Sequence, residues 1–161
     1  MQARIRTMFT VTAALVTATL LASPLAHAQV KIRYAHVGVA NAPQTLYADE
    51  VAKLVKERTN GRVEIQVFPN SQLGGVGEMV DGVKSGAIQM GHHDFASLGK
   101  IVPETAVFNT PFVYRDAAHS LRATDARTSP ALAKINQQLV EKGNMRIIGS
   151  FFQGTRELTS K

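Results

Sequence analysis

Val30-Lys31-Ile32-Arg33-Tyr34-Ala35, then Gln44 to Thr59, then Val63-Glu64-Ile65-Gln66-Val67 decide the fold. The first segment alternates apolar and polar residues, the mark of a strand with one face covered. In the second, Tyr47, Val51, Leu54 and Val55 recur at helical spacing, with Lys53, Lys56 and Glu57 on the other side. Asn60-Gly61 ends that helix, because both residues tolerate the left-handed turn of a helix C-terminus. The third segment alternates again and stops at Pro69. Strand, helix and strand in this order predict parallel strands joined by a crossover.

The alternation continues downstream. Ser71 opens a helical stretch or stands just before it, with Val76, Val80 and Val83 on one face and Gly86 as its stop. Ala87 to Met90 reads as a short third strand. A short helix over Phe95 to Lys100 is weakly indicated, and Thr105 to Phe108 reads as strand with Pro111 interrupting. Asp116 caps a helix over Ala117 to Ala123. Ser129-Pro130 places a hydroxyl cap before a proline at the first helical position, and Leu132, Ile135 and Leu139 form the stripe of the helix that Gly143 closes. Met145 to Phe152 reads as a last strand. The expected fold class is α/β, a mostly parallel sheet flanked by helices.

Upstream, the first 28 residues have the three parts of an export signal: Arg4 and Arg6, an uncharged run from Met8 to Ala22, and Ala26-His27-Ala28 as a small-x-small cleavage pattern. The run is short for a membrane span, which needs roughly 20 apolar residues, and five threonines from Thr7 to Thr19 dilute it. Cleavage after Ala28 is expected to release a soluble periplasmic chain, residues 29–161. The absence of cysteine excludes disulfides, thiolate metal sites and a lipid-bearing cysteine behind the cleavage point. The mature chain keeps 16 of the 18 basic residues against 12 acidic ones, a net charge of +4. That excess is spread thinly, without the basic cluster and aromatic interleaving that nucleic-acid binding needs. A mild positive balance suits a small anionic ligand.

In open α/β sheets ligands lie beyond the carboxyl ends of the strands. Three segments are thereby assigned to one rim: Ala35-His36-Val37, Gly91-His92-His93-Asp94 and Gln153 to Arg156. Arg156 is the foremost candidate, because its guanidinium fork matches a carboxylate; pairing with Glu157 is the plainer reading. His92-His93-Asp94 resembles metal-ligand material, yet neighbours on an extended segment point to opposite faces, and a third ligand would have to come from His36 or His119. No metal and no cofactor are expected. Leu73-Gly74-Gly75-Val76-Gly77 has neither dinucleotide nor P-loop spacing and is read as a glycine turn that lets backbone pass close to a ligand. His36 with Asp94 makes an acid–base pair conceivable, but no catalytic motif is complete. Phe95, Phe151 and Phe152 are available to line a wall.

Phe68-Pro69-Asn70-Ser71-Gln72-Leu73-Gly74-Gly75 resembles a motif of the periplasmic solute-binding proteins of TRAP transporters, the tripartite ATP-independent systems (DctP-like). The resemblance runs from Val30 to the end. It is carried further by Glu57 to Ile65, Glu78-Met79, Gly86 to Met90, Pro103-Glu104, Val107-Phe108, Pro111-Phe112, Arg115-Asp116 and Gly154-Thr155-Arg156 with Leu158-Thr159-Ser160. It implies two α/β lobes closing on a carboxylate-bearing solute, which is delivered to membrane permease subunits driven by an ion gradient. It implies ligand-binding roles for Arg156, for His36 at the first strand, for Asp94 with His93 after the third, and for Gln153 before the Gly-Thr-Arg motif. His36 and His93 depart from the usual types, which leaves the ligand open.

By the same resemblance, residues 29–161 correspond to the N-terminal lobe, ending in a hinge strand without a partner, with the second lobe absent. A ligand held by one lobe is not enclosed, so the lobe alone is expected to bind weakly or not at all. The full-length form is expected to be a monomer. A non-transport sensing module that presents the same pocket to a receptor competes with this reading, as does a secreted enzyme using His36, His93 or Asp94, and as does a truncated lobe without function.

Overall fold

The structure, a computed structural model, describes residues 28–154. The elements run β1 (Val30–His36), α1 (Pro43–Arg58), β2 (Val63–Phe68), α2 (Val76–Ser85), β3 (Met90–His92), two 3-10 turns (Phe95–Leu98 and Pro103–Asn109), α3 (Ala117–Ala123) and α4 (Pro130–Gly143). The three strands form one parallel sheet in the order β2-β1-β3. The chain moves from β1 to β2 on one side, then crosses back past β1 to β3. Right-handed crossovers in opposite directions put α1 and α2 on opposite faces. The order therefore reverses at β1 and β3, the switch point where such sheets leave a crevice.

Side-chain alternation along β1 divides the two faces. Ala35 packs with Met79 of α2 and with Ile88. Tyr34 and His36 consequently look to the other face, where α1 lies. The larger core cluster gathers Val80, Leu98, Val102, Phe108, Leu132, Ile135, Leu139 and Met145. The stripe read on α4 is this core: Leu132 and Leu139 are fully buried and Ile135 nearly so. Helix starts and stops follow local chemistry. The Asp116 and Ser129 side chains accept the His119 and Leu132 backbone N–H groups at their caps, and Gly86 and Asn144 take the left-handed C-cap conformation.

Four expectations are corrected. The third strand is shifted from Ala87–Met90 to Met90–His92, because Ile88 N–H still bonds back to Gly82 O at 3.0 Å and the Ile88 side chain is drawn into the core. Thr105 to Phe108 belongs to a 3-10 turn, not a strand. Pro103 starts it, the Thr105 hydroxyl donates to Val102 O at 2.8 Å, and Thr105 and Phe108 are buried three residues apart, the period of that turn. On α1 the buried residues are Thr45 and Ala48, while Tyr47 is exposed at the rim.

Met145 to Phe152, the fourth, joins no ladder. A strand exists only by pairing, and here a side chain takes the partner's place. Asn136 of α4 donates to Ile147 O at 2.9 Å and accepts from Ile147 N–H at 2.8 Å, as a neighbouring strand would. Further along, the Ser150 and Thr124 hydroxyls lie 2.6 Å apart. These ties lead the chain back across the rim.

Candidate functional site

The site forms at the carboxyl ends of β1 and β3, where His36 and His92 are register partners and therefore project to the same face. Tyr34 stands two residues before His36 on that face. Its hydroxyl lies 3.1 Å from His92 Nδ1, and the two rings stack with centroids 6.2 Å apart. Helix α1 brings Tyr47, whose ring meets His92 edge-on. The returning segment brings Phe151, stacked on Tyr47 at 5.2 Å and edge-on to His92 at 4.8 Å. Offset and edge-to-face pairs of this kind contribute roughly 0.5–1.5 kcal/mol each beyond their buried area. His92 is the hub of the cluster: it touches Tyr34, Tyr47 and Phe151, and His36 lies behind it at 6.3 Å.

The loop after β2 clamps the loop after β1. Asn70 and Ser71 both take positive φ, 52° and 58°, which turns their N–H groups onto Gly38 O (2.9 Å) and His36 O (3.1 Å). Asparagine accepts that conformation more readily than most residues. This is the structural content of the Phe68 to Gly75 motif: it fixes the backbone of His36. Gly74 completes the turn at φ 105°, where a Cβ would stand 2.7 Å from Glu78 Cβ.

His36 is fully buried. Gly38 N–H donates to its Nδ1 at 3.1 Å, so the neutral ring carries its proton on Nε2. That Nε2 is buried and has no partner. An unsatisfied buried donor costs roughly 1–3 kcal/mol and calls for an explanation. Burial lowers the His36 pKa, opposed in part by Asp49. Burial, with His36 and His93 nearby, pushes His92 down to about 4. Burial, with Tyr47 nearby, raises Tyr34. At neutral pH these three groups are uncharged, and the cluster offers hydrogen bonds and ring faces, not ion pairs.

The other predicted site residues are partly united with this cluster. Gln153 approaches α1, its Nε2 at a long 3.5 Å from Gln44 Oε1. His93 points away from His92, as strand alternation requires, with its Nδ1 2.6 Å from Ser97 Oγ. Asp94 is exposed and uses Oδ1 to cap the 3-10 turn by accepting Ser97 N–H at 2.9 Å. Its distinct service is local structure, and nothing couples it to His36 as an acid–base pair. Among the described residues no group of three or more histidines and acids is arranged to hold a metal ion. Phe151 does line a wall, whereas Phe95 packs on Phe108 in the core. Arg156 and the signal segment through His27 lie outside the described residues.

Sequence reasoning missed Tyr34 and Tyr47. The alternation of β1 put Tyr34 on the same face as His36, and that was the available signal. Nothing local distinguishes Tyr47 from a core residue of an amphipathic helix.

A three-stranded parallel sheet flanked by helices, with a polar and aromatic cluster at its switch point, is the architecture of one lobe of a solute-binding protein. The chain belongs to the bacterial extracellular solute-binding proteins of family 7, DctP, whose family model matches residues 34–161. It is 29% identical to the 2,3-diketo-L-gulonate-binding periplasmic protein YiaO of Escherichia coli, over 80% of this chain and 38% of that protein. The structure resembles a TRAP periplasmic solute-binding protein of Sulfurospirillum deleyianum with bound succinate (TM-score 0.62, 35% identity, 72% of this chain and 36% of that one). It likewise resembles one of Haemophilus influenzae with bound L-gulonate (TM-score 0.62, 27% identity, 71% and 37%). These relatives are solute-binding proteins, not enzymes. The chain spans about two fifths of the length of the relatives it matches.

Proposed function

We propose that this chain is the N-terminal lobe of the extracytoplasmic solute-binding subunit of a TRAP-type secondary transporter. The subunit captures a small carboxylate-bearing solute in the periplasm and delivers it to membrane permease subunits. The observation that supports the reading is the cluster at the carboxyl ends of β1 and β3, where Tyr47, His92 and Phe151 pack over the buried His36, whose Nε2 has no partner. Acid-binding relatives support the solute class: YiaO is named for 2,3-diketo-L-gulonate, and the two similar structures hold succinate and L-gulonate.

In this reading Arg156 supplies the guanidinium for the carboxylate, three residues beyond Gln153, which stands at the rim. His36 lines the floor, and His93 and Asp94 border the pocket after β3. Residues 1–28 direct export and are removed after Ala28, and the full-length form works as a monomer. The lobe alone encloses a ligand on one side, which leaves the ion pair in water and weak.

The test is isothermal titration of the full-length secreted protein with succinate, L-gulonate and 2,3-diketo-L-gulonate. Binding of at least one is expected, with Arg156→Ala costing about 2–5 kcal/mol of its affinity if the pair is enclosed. Unchanged affinity in that variant removes Arg156 from the site.

A further inference from the structure

We infer that Phe151 is a removable plug. Its ring covers the cluster at the carboxyl ends of β1 and β3, and the strap that carries it, Gly149 to Gly154, swings aside to admit the solute. The inference rests on the solute-binding reading above and adds a gate to that site.

The first observation is the place of the ring. It is stacked on Tyr47 at 5.2 Å and edge-on to His92 at 4.8 Å. His36 lies 6.3 Å behind His92, fully buried, with an Nε2 that has no partner. Three side chains that carry polar atoms thus gather under one hydrocarbon ring, which offers none of them a hydrogen bond. An apolar cover over polar groups forfeits the bonds that water or a solute would supply.

The second observation is the strap, and it is independent of the first. Among the described residues the backbone of residues 148–154 makes no hydrogen bond. Gly149 and Gly154 bracket the ring. A Cβ at either would meet nothing within 4 Å, and Gly154 holds φ at 130°, which L side chains rarely adopt. Open space and glycine backbone at both ends give the strap two pivots, while Asn136 keeps Ile147 fixed just before the first of them. Between the pivots only side chains hold it: the Ser150 hydroxyl 2.6 Å from that of Thr124, Gln153 at 3.5 Å from Gln44, and Phe151 in its ring stack.

Swinging the strap breaks these contacts and no ladder. Two ring pairs of ordinary strength favour the covered arrangement by roughly 5- to 150-fold. A solute that binds only the uncovered arrangement has its apparent affinity reduced by the same factor. Deleting the ring returns that factor, whereas deleting a ring that touches the solute weakens binding. The sign of the change therefore separates a plug from a fixed wall.

The experiment uses the full-length secreted protein with succinate, L-gulonate and 2,3-diketo-L-gulonate as probes, in stopped-flow and titration calorimetry. Phe151→Ala is expected to bind the acid that wild type binds at least threefold tighter, through faster association. Phe151→Leu fills part of the space without ring stacking; it is expected to shift affinity in the same direction by a smaller factor, and its sign decides where the alanine variant does not fold. A gain below threefold in Phe151→Ala, or a loss in either variant, overturns the inference and leaves the solute-binding reading standing. Binding of none of the three acids by wild type and variants alike overturns both.

Discussion

Asn136→Ala removes the side chain that stands in for a neighbouring strand. The Asn136 amide is buried, 8% exposed, and makes both hydrogen bonds to Ile147, at 2.9 and 2.8 Å. Each bond is worth about 0.5–1.5 kcal/mol net, and more where the group left behind stays dry. Ile147 is half-buried, so water reaches part of what is exposed. The expected loss is about 2–3 kcal/mol. The assay is urea unfolding of the full-length secreted protein, followed by far-ultraviolet circular dichroism. Asn136→Leu separates bonding from volume, since it fills the site and restores neither bond. It is expected to stay at least 1 kcal/mol below wild type, on the scale of one lost buried hydrogen bond. A leucine variant as stable as wild type would refute the argument that this amide holds the segment, as would an alanine variant within about 0.5 kcal/mol, the range of ordinary surface changes.

Leu139→Ala empties a fully buried site on α4 and is expected to cost about 2–5 kcal/mol in the same urea assay; a cost under 1 would mean that the core there is not packed as described. Stability falls as the pH drops from about 6.5 towards 4. His92, held down to about 4 when folded, takes up its proton in the unfolded chain first, and the unfolded state binds more protons across that window. With allowance for its partial exposure the loss is about 1–2 kcal/mol, and it should shrink in His92→Phe; an equal loss in that variant assigns the effect elsewhere. Phe112 is fully exposed yet holds φ at 62°. Phe112→Gly relieves that strain without loss of burial, so unfolding midpoints should stay equal or rise by up to about 1 kcal/mol, and a loss beyond 1 would show that the ring is covered.

How far the site was legible depended on the range of the forces behind each part. The strand-to-helix alternation, the caps at Asp116 and Ser129 and the stops at Asn60-Gly61 and Gly86 depend on near neighbours, and they could be read directly, whereas α4 runs through Gly143 and is stopped by Asn144. The α4 stripe of Leu132, Ile135 and Leu139 could be read for the same reason. Parallel pairing then followed, and with it the approach of His36 to the end of β3. The place of Thr105 to Phe108 could not be read, because an apolar i,i+3 pair in a short run fits strand or 3-10 turn equally well. The start of β3 was missed because a core contact from Ile88 outranks its strand propensity.

The sequence by itself determined the α/β class and the family, because periodicity, caps and motifs act over a few residues. The tertiary structure alone decided the chemistry of the cluster at the ends of β1 and β3. It took the register of His36 with His92 to place two imidazoles on one face, and Gly38 to fix the proton of one of them on Nε2. It took the approach of Tyr47 from α1 and Phe151 from the far end of the chain to enclose them in rings. Burial and partnership of a polar atom depend on groups distant in sequence, and no local pattern carries that information.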